Sequence, residues 1–388
     1  MTRTTRSSSH RQKSVREPQD PERLRILRIS TDTYPEVVGG GAIHAHNMSA
    51  TQASYGHDVT VLTSNHGDDS LPRFEHREGY TVRRFSEWGR PFGNSITPGL
   101  FRELHRHQDD FDIVHAHSHL YLSTNMAAVL SNFHETPLVL TNHGLFSQSA
   151  PAWFNESYLR TLGRFTFNAA DRVLCYTATD EQRLREFGVS TPVSLVNNGV
   201  DCEKFSPTEE SSNPPEILFV GRLVETKGVE ELLEAFARIN IEARLRFVGG
   251  GPLRDQLEKD VYQLGVSDQV SFTGQIPNDE LPGVYAQSSV FALPSSREGL
   301  PRTVLEALAC GTPVVTSDLP QLKPLIDGVG MTVPQDDISA LAKALEQVLS
   351  DSELRARFGS TGRKRVVEDY SWKETVRQTT AVYRELLM

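Results

Sequence analysis

The sequence predicts an α/β protein built from two doubly wound domains, and three observations lead to that prediction. Short apolar runs with the length of buried strands alternate with helical stretches along almost the whole chain. The alternation stops at a polar stretch with three prolines, 206–215, and then restarts. The length of 388 residues suits two domains of ordinary size. Because strands that alternate with helices form mainly parallel sheets, each half is expected to be Rossmann-like.

The first domain is predicted to begin with a strand at 24–29, followed by a glycine triplet at 39–41 and a helix at about 42–55. Its further strands are predicted at 58–63, 112–115, 137–140, 173–176 and 193–196. After the polar stretch, strands are predicted at 217–220, 245–248, 270–272, 290–293 and 313–315, and helices near 229–239, 253–264, 301–309 and 337–349. A last helix at 371–388 is long enough to cross back onto the first domain. The predicted boundaries are a tail at 1–23, a first domain at 24–207 together with the helix at about 372–388, and a second domain at 208–371.

Composition and charge exclude several classes of protein. A net charge of −10 argues against a general nucleic-acid-binding protein, and no apolar run is long enough for a membrane span. The three cysteines show no CxxC spacing, which favours reduced thiols in the cytoplasm. The basic segment 1–23 is predicted to be a disordered arm, for which a solvated tail is favoured over a tether to anionic lipid.

The strongest candidate site follows the strand predicted at 290–293, in the segment SSREGLPRTVLEALACG. Pro301 suits the start of a helix and Gly311 its end. The free N–H groups at that helix start favour an anion such as phosphate. Glu298 precedes the helix, and Glu306 lies inside it among apolar residues, where a buried carboxylate needs a donor such as a sugar or ribose hydroxyl. An exposed Glu306 on an amphipathic helix is the alternative.

Further candidates in the second domain follow other predicted strands. In FVGRLVETKG, Gly221 allows a close turn, while the side chains of Arg222 and Lys227 suit a diphosphate. Two solvated cations near a turn are the alternative. The glycine-rich turn at 249–251 lets a phosphate or ring approach the backbone, although it lacks the GxGxxG fingerprint. The turn TGQI at 273–276 is either a contact for a nucleobase or an ordinary turn.

The first domain offers two candidates of its own. The glycine triplet at 39–41 joins a strand to a helix, and this is a common place for phosphate to meet the backbone. His143, in TNHG, follows a predicted strand and is therefore placed to meet a ligand in a cleft between the domains. A half-buried histidine with an ordinary hydrogen-bond partner is the alternative.

A metal-dependent hydrolase is the rival class of enzyme. His115, His117 and His119 alternate, so a continuous strand would place all three on one face, as in some zinc sites. All 13 histidines, however, lie at or before His143, which argues against metal ligands distributed around a complete barrel. The D-x-D spacing at 110–112 lies in an acidic turn and is a poor metal site. We therefore expect no bound catalytic metal.

The order of these segments resembles the retaining glycosyltransferases of GT-B architecture, in particular glycosyltransferase family 4, the glycosyl transferases group 1. Glu298 and Glu306 match the E-x7-E pattern of that family, here within EGLPRTVLEALACGTPVV. GRLVETKG is similar to its phosphate-binding segment, although Glu225-Thr226 stands where Pro-Glu is more frequent. The segments GGG, DIVHAHS, TNHG and VGGGP also fall in the expected order, from about residue 24 to the C-terminus.

The resemblance implies a role for each matching position. It implies that Arg222 and Lys227 bind the donor diphosphate, that Glu306 holds the ribose, and that Glu298 and His143 contact the donor sugar. Glu298, His143, Arg222 and Lys227 are the implied catalytic residues. The implied donor-binding set is completed by Gly40, Gly41, Gly221, Gly250, Gln275, Ile276, Gly299, Leu300 and Pro301.

The activity implied by the resemblance is transfer of a sugar from a nucleotide-diphosphate donor, such as a UDP-sugar or GDP-sugar, to a hydroxyl acceptor. Retention at the anomeric carbon and independence from metal or another cofactor are implied with it. Glycan, lipid-linked and small-molecule acceptors stay open, as does the oligomeric state. A sugar-nucleotide 2-epimerase, a phosphorylase and a non-catalytic nucleotide-binding protein are the alternatives on this fold. A cytoplasmic protein is expected, and the basic amphipathic stretch 101–107 suggests peripheral contact with a membrane surface.

Overall fold

The computed structural model describes residues 23–37, 39–145, 152–208 and 212–388. The predicted tail, apart from Arg23, lies outside these ranges, as do 209–211 of the predicted linker. Within them the strands form two sheets, one of eight strands and one of six. The prediction of an α/β protein with two Rossmann-like sheets is therefore confirmed.

The first sheet has the strand order β3-β4-β2-β1-β5-β6-β7-β8. Its strands are β1 (Arg25–Ile29), β2 (Asp58–Ser64), β3 (Phe74–Arg77), β4 (Tyr80–Phe85), β5 (Ile113–His117), β6 (Leu138–Thr141), β7 (Arg172–Cys175) and β8 (Val193–Leu195). All neighbours pair in parallel except β3 and β4, which are antiparallel. The helices of this half are α1 (Gly40–Ser54), α2 (Pro98–His107), α3 (Leu122–Ser131), α4 (Ala152–Tyr158), α5 (Arg164–Asn168) and α6 (Ala178–Glu186).

The second sheet is parallel throughout and has the order β11-β10-β9-β12-β13-β14. Its strands are β9 (Glu216–Val220), β10 (Arg244–Val248), β11 (Val270–Gly274), β12 (Val290–Leu293), β13 (Val314–Ser317) and β14 (Gly330–Val333). The helices that follow are α7 (Val229–Phe236), α8 (Arg254–Gln263), α9 (Leu281–Gln287), α10 (Arg302–Ala309), α11 (Lys323–Ile326), α12 (Ile338–Ser350), α13 (Ser352–Asp369) and α14 (Trp372–Leu387).

The last helix, α14, returns to the first half of the chain. Its residues Trp372 and Val376 pack in one apolar cluster with Met48 of α1. The Tyr383 hydroxyl lies 2.5 Å from Nδ1 of His115 on β5, and both side chains are buried. The predicted crossing of the C-terminal helix is therefore present.

Strand order changes direction at β1 in the first sheet and at β9 in the second. In open parallel sheets, such switch points open a crevice beyond the carboxyl ends of the strands, where ligands bind. The loops after β1, β5 and β6, and after β9 and β12, are therefore the places to look for a site. In the described part of the chain, no helix combines the length and apolarity needed to cross a bilayer.

Candidate active site

The loops after β9 and β12 meet and bring two predicted site residues together. Lys227 ends a single turn of 3₁₀ helix, Glu225–Lys227, and its Nζ lies 2.5 Å from Oε1 of Glu298. Both side chains are largely buried, with exposed fractions of 16% and 7%. An ion pair of this kind holds each charge in place at the end of the sheet.

Glycine makes this close approach of the two loops possible. Gly228 has a φ of +67°, and a Cβ there would lie 2.1 Å from the carbonyl oxygen of Pro294. A side chain at that position would therefore force the loops apart. On the other side of Glu298, Gln321 donates from Nε2 to the Glu298 carbonyl oxygen over 2.6 Å.

The glycine turns after β9 and β10 lie against each other. Gly249 has a φ of +124°, and a Cβ there would meet the carbonyl oxygen of Gly221 at 2.0 Å. Gly250 accepts a hydrogen bond from the backbone of Leu223, and Arg222 is exposed on the same turn. The turn after β11 adjoins this pair, because Gly249 N–H donates to the carbonyl of Gly274, which precedes Gln275 and Ile276. The predicted donor-binding turns are therefore neighbours in space.

Helix α10 begins directly after Pro301, and no side chain caps its first N–H groups. Gly299 and Leu300 lead into it from Glu298. Backbone donors at a helix start are therefore presented at the end of the sheet, beside the cations already described. This is a geometry that can hold a phosphate group.

Glu306 lies within α10 and is 5% exposed, so the alternative of an exposed residue on an amphipathic helix is wrong. Its Oε2 accepts from the Tyr285 hydroxyl at 3.0 Å, and its Oε1 accepts from Arg302 Nη2 at 3.1 Å. Burial raises the pKa of Glu306, although the Arg302 charge and the Tyr285 hydrogen bond oppose that shift. A buried carboxyl held by two donors has a fixed orientation and can accept a further hydrogen bond from a ligand hydroxyl.

The first half contributes a group of aromatic rings, in which His44 and His117 are buried while His143 and Tyr176 are half-buried. Nδ1 of His143 lies 2.7 Å from the Tyr176 hydroxyl, and its Nε2 lies 2.9 Å from Nδ1 of His117. The ring of His44, on α1, is 4.8 Å from the His143 ring, and His44 Nδ1 lies 3.0 Å from Oδ1 of Asn198. Burial lowers the pKa of His143 to about 4, and the positive charge of Arg302 lowers it too. His143 is therefore a neutral imidazole at neutral pH.

Gly40 and Gly41 form the first turn of α1, one turn before His44. Nothing lies within 4 Å of the position a Cβ would take at either glycine. The start of α1 is consequently open, with room for a ligand next to the histidine group.

The expectation that His115, His117 and His119 share one face is wrong for the third of them. β5 ends at His117, and the His119 ring packs instead against Phe167 with ring centroids 4.5 Å apart. His115 is held by Tyr383 and by Thr141, at 2.7 Å from its Nε2. His115 and His117 stack on each other with ring centroids 4.5 Å apart, so the expected shared face holds for these two residues and fails for His119.

Within the described ranges, the group with spacing closest to a metal site is His44, His117 and His143, whose nitrogens lie within 4.8 Å of one another. The positive charges of Arg28 and Arg302 add to the effect of burial in lowering the pKa of His44. The same positive field opposes a divalent cation.

Several residues of the candidate site were not predicted from the sequence. Tyr176, His44 and Gln321 act through partners far away in the chain, and no local pattern marks them. Arg302 stands inside the EGLPRTVLE segment and received no role, although its position four residues before Glu306 on a helix indicates the ion pair.

Comparison with known proteins gives the family. The description "Glycosyltransferase Family 4" matches residues 38–204, and "Glycosyl transferases group 1" matches residues 201–365, so the two together span most of the chain. The chain belongs to glycosyltransferase family 4. Family 4 membership makes it a nucleotide-sugar-dependent glycosyltransferase of the retaining type, and the predicted resemblance is confirmed.

Curated relatives of this family 4 protein match along nearly their full length. It is 29% identical to an uncharacterized glycosyltransferase of Methanocaldococcus jannaschii, with 93% of this chain and 98% of the relative covered. It is 27% identical to a glycogen synthase of Mycobacterium tuberculosis, covering 93% and 94%. A D-inositol 3-phosphate glycosyltransferase of Geodermatophilus obscurus is 29% identical, covering 94% and 89%.

Solved structures confirm the GT-B fold of this family 4 protein. A sucrose-phosphate synthase from Thermosynechococcus elongatus superposes with a TM-score of 0.78 at 24% identity, over 94% of this chain and 99% of the other. Anabaena HepE, solved in complex with UDP-glucose, gives a TM-score of 0.75 at 17% identity, over 93% and 100%.

Proposed function

We propose that the second half of the chain binds a nucleotide-diphosphate sugar and that the first half presents the acceptor across the cleft. The observation that carries this proposal is the Lys227–Glu298 pair, which lies beside the uncapped start of α10. A cation and free backbone N–H groups suit the diphosphate, while the adjacent carboxylate suits sugar hydroxyls.

The diphosphate is bound by Arg222, Lys227 and the start of α10. As the bond between the sugar and the β-phosphate breaks, negative charge grows on the departing phosphate oxygen. Preorganised cations and N–H groups stabilise that charge more in the transition state than in the ground state. These groups, rather than a bound metal or another cofactor, supply the electrostatic stabilisation in this proposal.

The rest of the donor lies along the same edge of the sheet. Glu306 accepts from the ribose hydroxyls, since its buried carboxyl is held in a fixed orientation. The turn at Gln275 and Ile276 contacts the base, and Gly221, Gly250, Gly299, Leu300 and Pro301 shape the backbone around the phosphates. From the first half, the start of α1 at Gly40 and Gly41 approaches the donor.

The transferred sugar lies between Glu298 and His143. Nε2 of the neutral His143 imidazole meets a sugar hydroxyl in place of its contact with His117, and it adds no charge to the cleft. The acceptor oxygen forms its bond to the anomeric carbon on the face that the phosphate leaves. Its proton passes to the departing phosphate oxygen, so that the products are the glycoside and the nucleoside diphosphate.

Thermal unfolding with nucleotides tests this proposal. The chain is heated with UDP, GDP and ADP and with their sugar conjugates, each with and without EDTA. A ligand at about 100 times its Kd stabilises the native state by about 2.7 kcal/mol. A shift with one base that EDTA leaves unchanged is expected. No shift with any nucleotide contradicts donor binding, and a shift that EDTA abolishes contradicts the metal-independent form of the proposal.

Peripheral contact with an anionic membrane is a second proposal, and it concerns α2. Phe101, Arg102 and Arg106 are exposed on this helix, while Leu100 and Leu104 are buried beneath it. An exposed aromatic ring flanked by cations suits a lipid headgroup layer. Flotation with anionic liposomes at low salt tests it. Binding that the double variant R102E/R106E abolishes supports the contact, and wild-type protein that stays unbound rules it out. The cytoplasmic location remains a prediction.

A further inference from the structure

Arg302, the first residue of α10, has hydrogen-bond donors that the described part of the chain leaves without acceptors. Its side chain is 11% exposed, and its Nη2 donates to Glu306. Its Nε and Nη1 are each buried, and neither meets a hydrogen-bond partner among the residues that the structure describes. Buried guanidinium N–H groups without acceptors are costly, because they lose water without replacing it. Among the described arginines, Arg302 alone has two such nitrogens, and a ligand acceptor would satisfy both.

The surroundings of Arg302 favour an anion as that ligand. Burial lowers the pKa of His143 and His44, and the positive charge of Arg302 adds to both shifts, so Arg302 lies near enough to these rings to influence them. Burial raises the pKa of Tyr176 well above its usual value. The groups opposite Arg302 are consequently neutral, and Glu306 is the carboxylate paired with it. Glu306 already balances the charge of Arg302, so what Arg302 offers a phosphate is its two unpartnered N–H groups.

We propose that Arg302 binds a phosphate group of a substrate in the space between α10 and His143. This inference rests on the proposed function, because it places the phosphate in the donor cleft. Two sources supply the same chemistry: the diphosphate of the donor, and a phosphate carried by the acceptor. Lys227 and Arg222 serve the donor diphosphate from the β9 loop, whereas Arg302 meets phosphate from the helix on the other side.

The experiment compares Arg302→Gln with a matched control, Arg297→Gln. Arg297 is exposed in the loop before α10, so the control makes the same charge change nearby. Arg302→Lys keeps the charge and removes the planar fork. For each protein, ligand-observed NMR measures the affinity for uridine, UMP, UDP and glucose 6-phosphate, with the guanosine or adenosine series replacing uridine if that base binds wild-type protein. Thermal midpoints show whether each variant is folded.

Arg302→Gln is expected to weaken one class of phosphate ligand by about ten- to a hundredfold, the usual value of hydrogen bonds to a charged group. A loss for UDP or UMP that spares uridine identifies the donor phosphate, and a loss for glucose 6-phosphate alone identifies a phosphorylated acceptor. Arg302→Lys is expected to be intermediate and Arg297→Gln unchanged.

Two results overturn the inference. An equal loss for uridine, UMP and UDP shows that Arg302 acts only by orienting Glu306, and unchanged affinities for all ligands show that it binds no phosphate. Either result leaves nucleotide binding by wild-type protein, and with it the proposed function, intact. Wild-type protein that binds no nucleotide of any base contradicts the proposed function itself and this inference with it.

Discussion

The two sides of the cleft use opposite chemistry. The second half presents Arg222, Lys227 and Arg302 and contains no histidine, whereas all 13 histidines lie at or before His143 in the first half. The imidazole next to the cleft, His143, is half-buried among other rings and kept neutral. In the proposed reaction, the second half therefore stabilises charge and the first half positions the transferred sugar. A change of pH and a substitution that removes a charge should therefore affect the two halves differently.

Acid should destabilise the first half of the chain more than the second half, and this loss of stability is the largest effect we expect. Burial lowers the pKa of eight histidines in the first half: His44, His46, His57, His66, His115, His117, His119 and His143. Their unfolded pKa is about 6.5, so the unfolded chain takes up protons that the folded chain does not. Stability is therefore present above about pH 6.5 and is lost as the pH falls. The folded pKa is about 4 for His143 and about 3 for His119. At pH 5, each of these histidines therefore lowers the free energy of unfolding by on the order of 2 kcal/mol.

Hydrogen exchange at pH 7.5 and pH 5, corrected for the intrinsic pH dependence of exchange, measures this difference. Amides of β1, β5 and β6 should lose protection at pH 5 more than those of β9, β10 and β12. Glu306 acts with the opposite sign, because its raised pKa gives stability that is lost as the pH rises. Equal losses of protection in the two sheets would show that the buried histidines do not govern acid stability.

Removing a cation from the second half should cost the most activity. Lys227→Ala is expected to lower kcat/KM by about 10²–10³-fold, the usual loss when one group that stabilises developing charge is removed. The measurement is steady-state transfer with the donor that thermal unfolding identifies. Lys343→Ala, which removes an exposed lysine from α12, should keep wild-type kinetics. If Lys227→Ala retained wild-type kcat/KM, charge stabilisation would have to come from another part of the molecule.

The same comparison explains what could be predicted from the sequence. The second-half candidates sit in two continuous segments, and their chemistry is visible locally: Lys227 and Glu298 both follow apolar strands and precede helices. Around His143 the partners come from α1, β5 and the turn after β7, and each is an ordinary aromatic residue in its own segment. Their role exists only after the sheet has been assembled, so His143 was predicted and its surroundings were not.

The fold itself was predictable wherever strands are apolar. β3 and β4 were not predicted, because they carry charged residues whose charges are neutralised by partners on other elements. Arg84 of β4 is 4% exposed and pairs with Glu36 at 2.5 Å and with Glu75 at 2.6 Å. Such ion pairs let a polar sequence enter a sheet, and a single segment gives no sign of them. β14 escaped for another reason, since this short edge strand begins with Gly330, a residue that strands disfavour.

Replacing the buried carboxyl of α10 should have an intermediate effect. Glu306→Gln keeps the shape of the side chain but removes the charge that would strengthen its bonds to ribose hydroxyls. We expect donor affinity to fall by about ten- to a hundredfold, while the thermal midpoint shows that the fold survives. Glu258→Gln, an exposed position on α8, is the control. Unchanged donor affinity in a folded Glu306→Gln protein would contradict the ribose role.

The smallest expected effect concerns positioning in the first half. Tyr176→Phe removes the hydroxyl that lies 2.7 Å from Nδ1 of His143 and leaves the ring in place. The loss of one neutral hydrogen bond is worth about 1 kcal/mol, so kcat should fall by roughly fivefold. Donor KM should stay unchanged, because the proposed nucleotide site lies on the other side of the cleft.

Tyr158→Phe is the matched control for this last change. Its hydroxyl donates to the His119 carbonyl and lies 3.1 Å from Oδ1 of Asn125, away from His143. A fall in kcat for Tyr176→Phe alone would show that the orientation of His143 contributes to transfer. Equal effects in both variants would instead indicate general loosening of the first half. Wild-type kcat in Tyr176→Phe would mean that the surrounding rings are sufficient to fix the imidazole, and the division between charge and position would then rest on packing instead of hydrogen bonds.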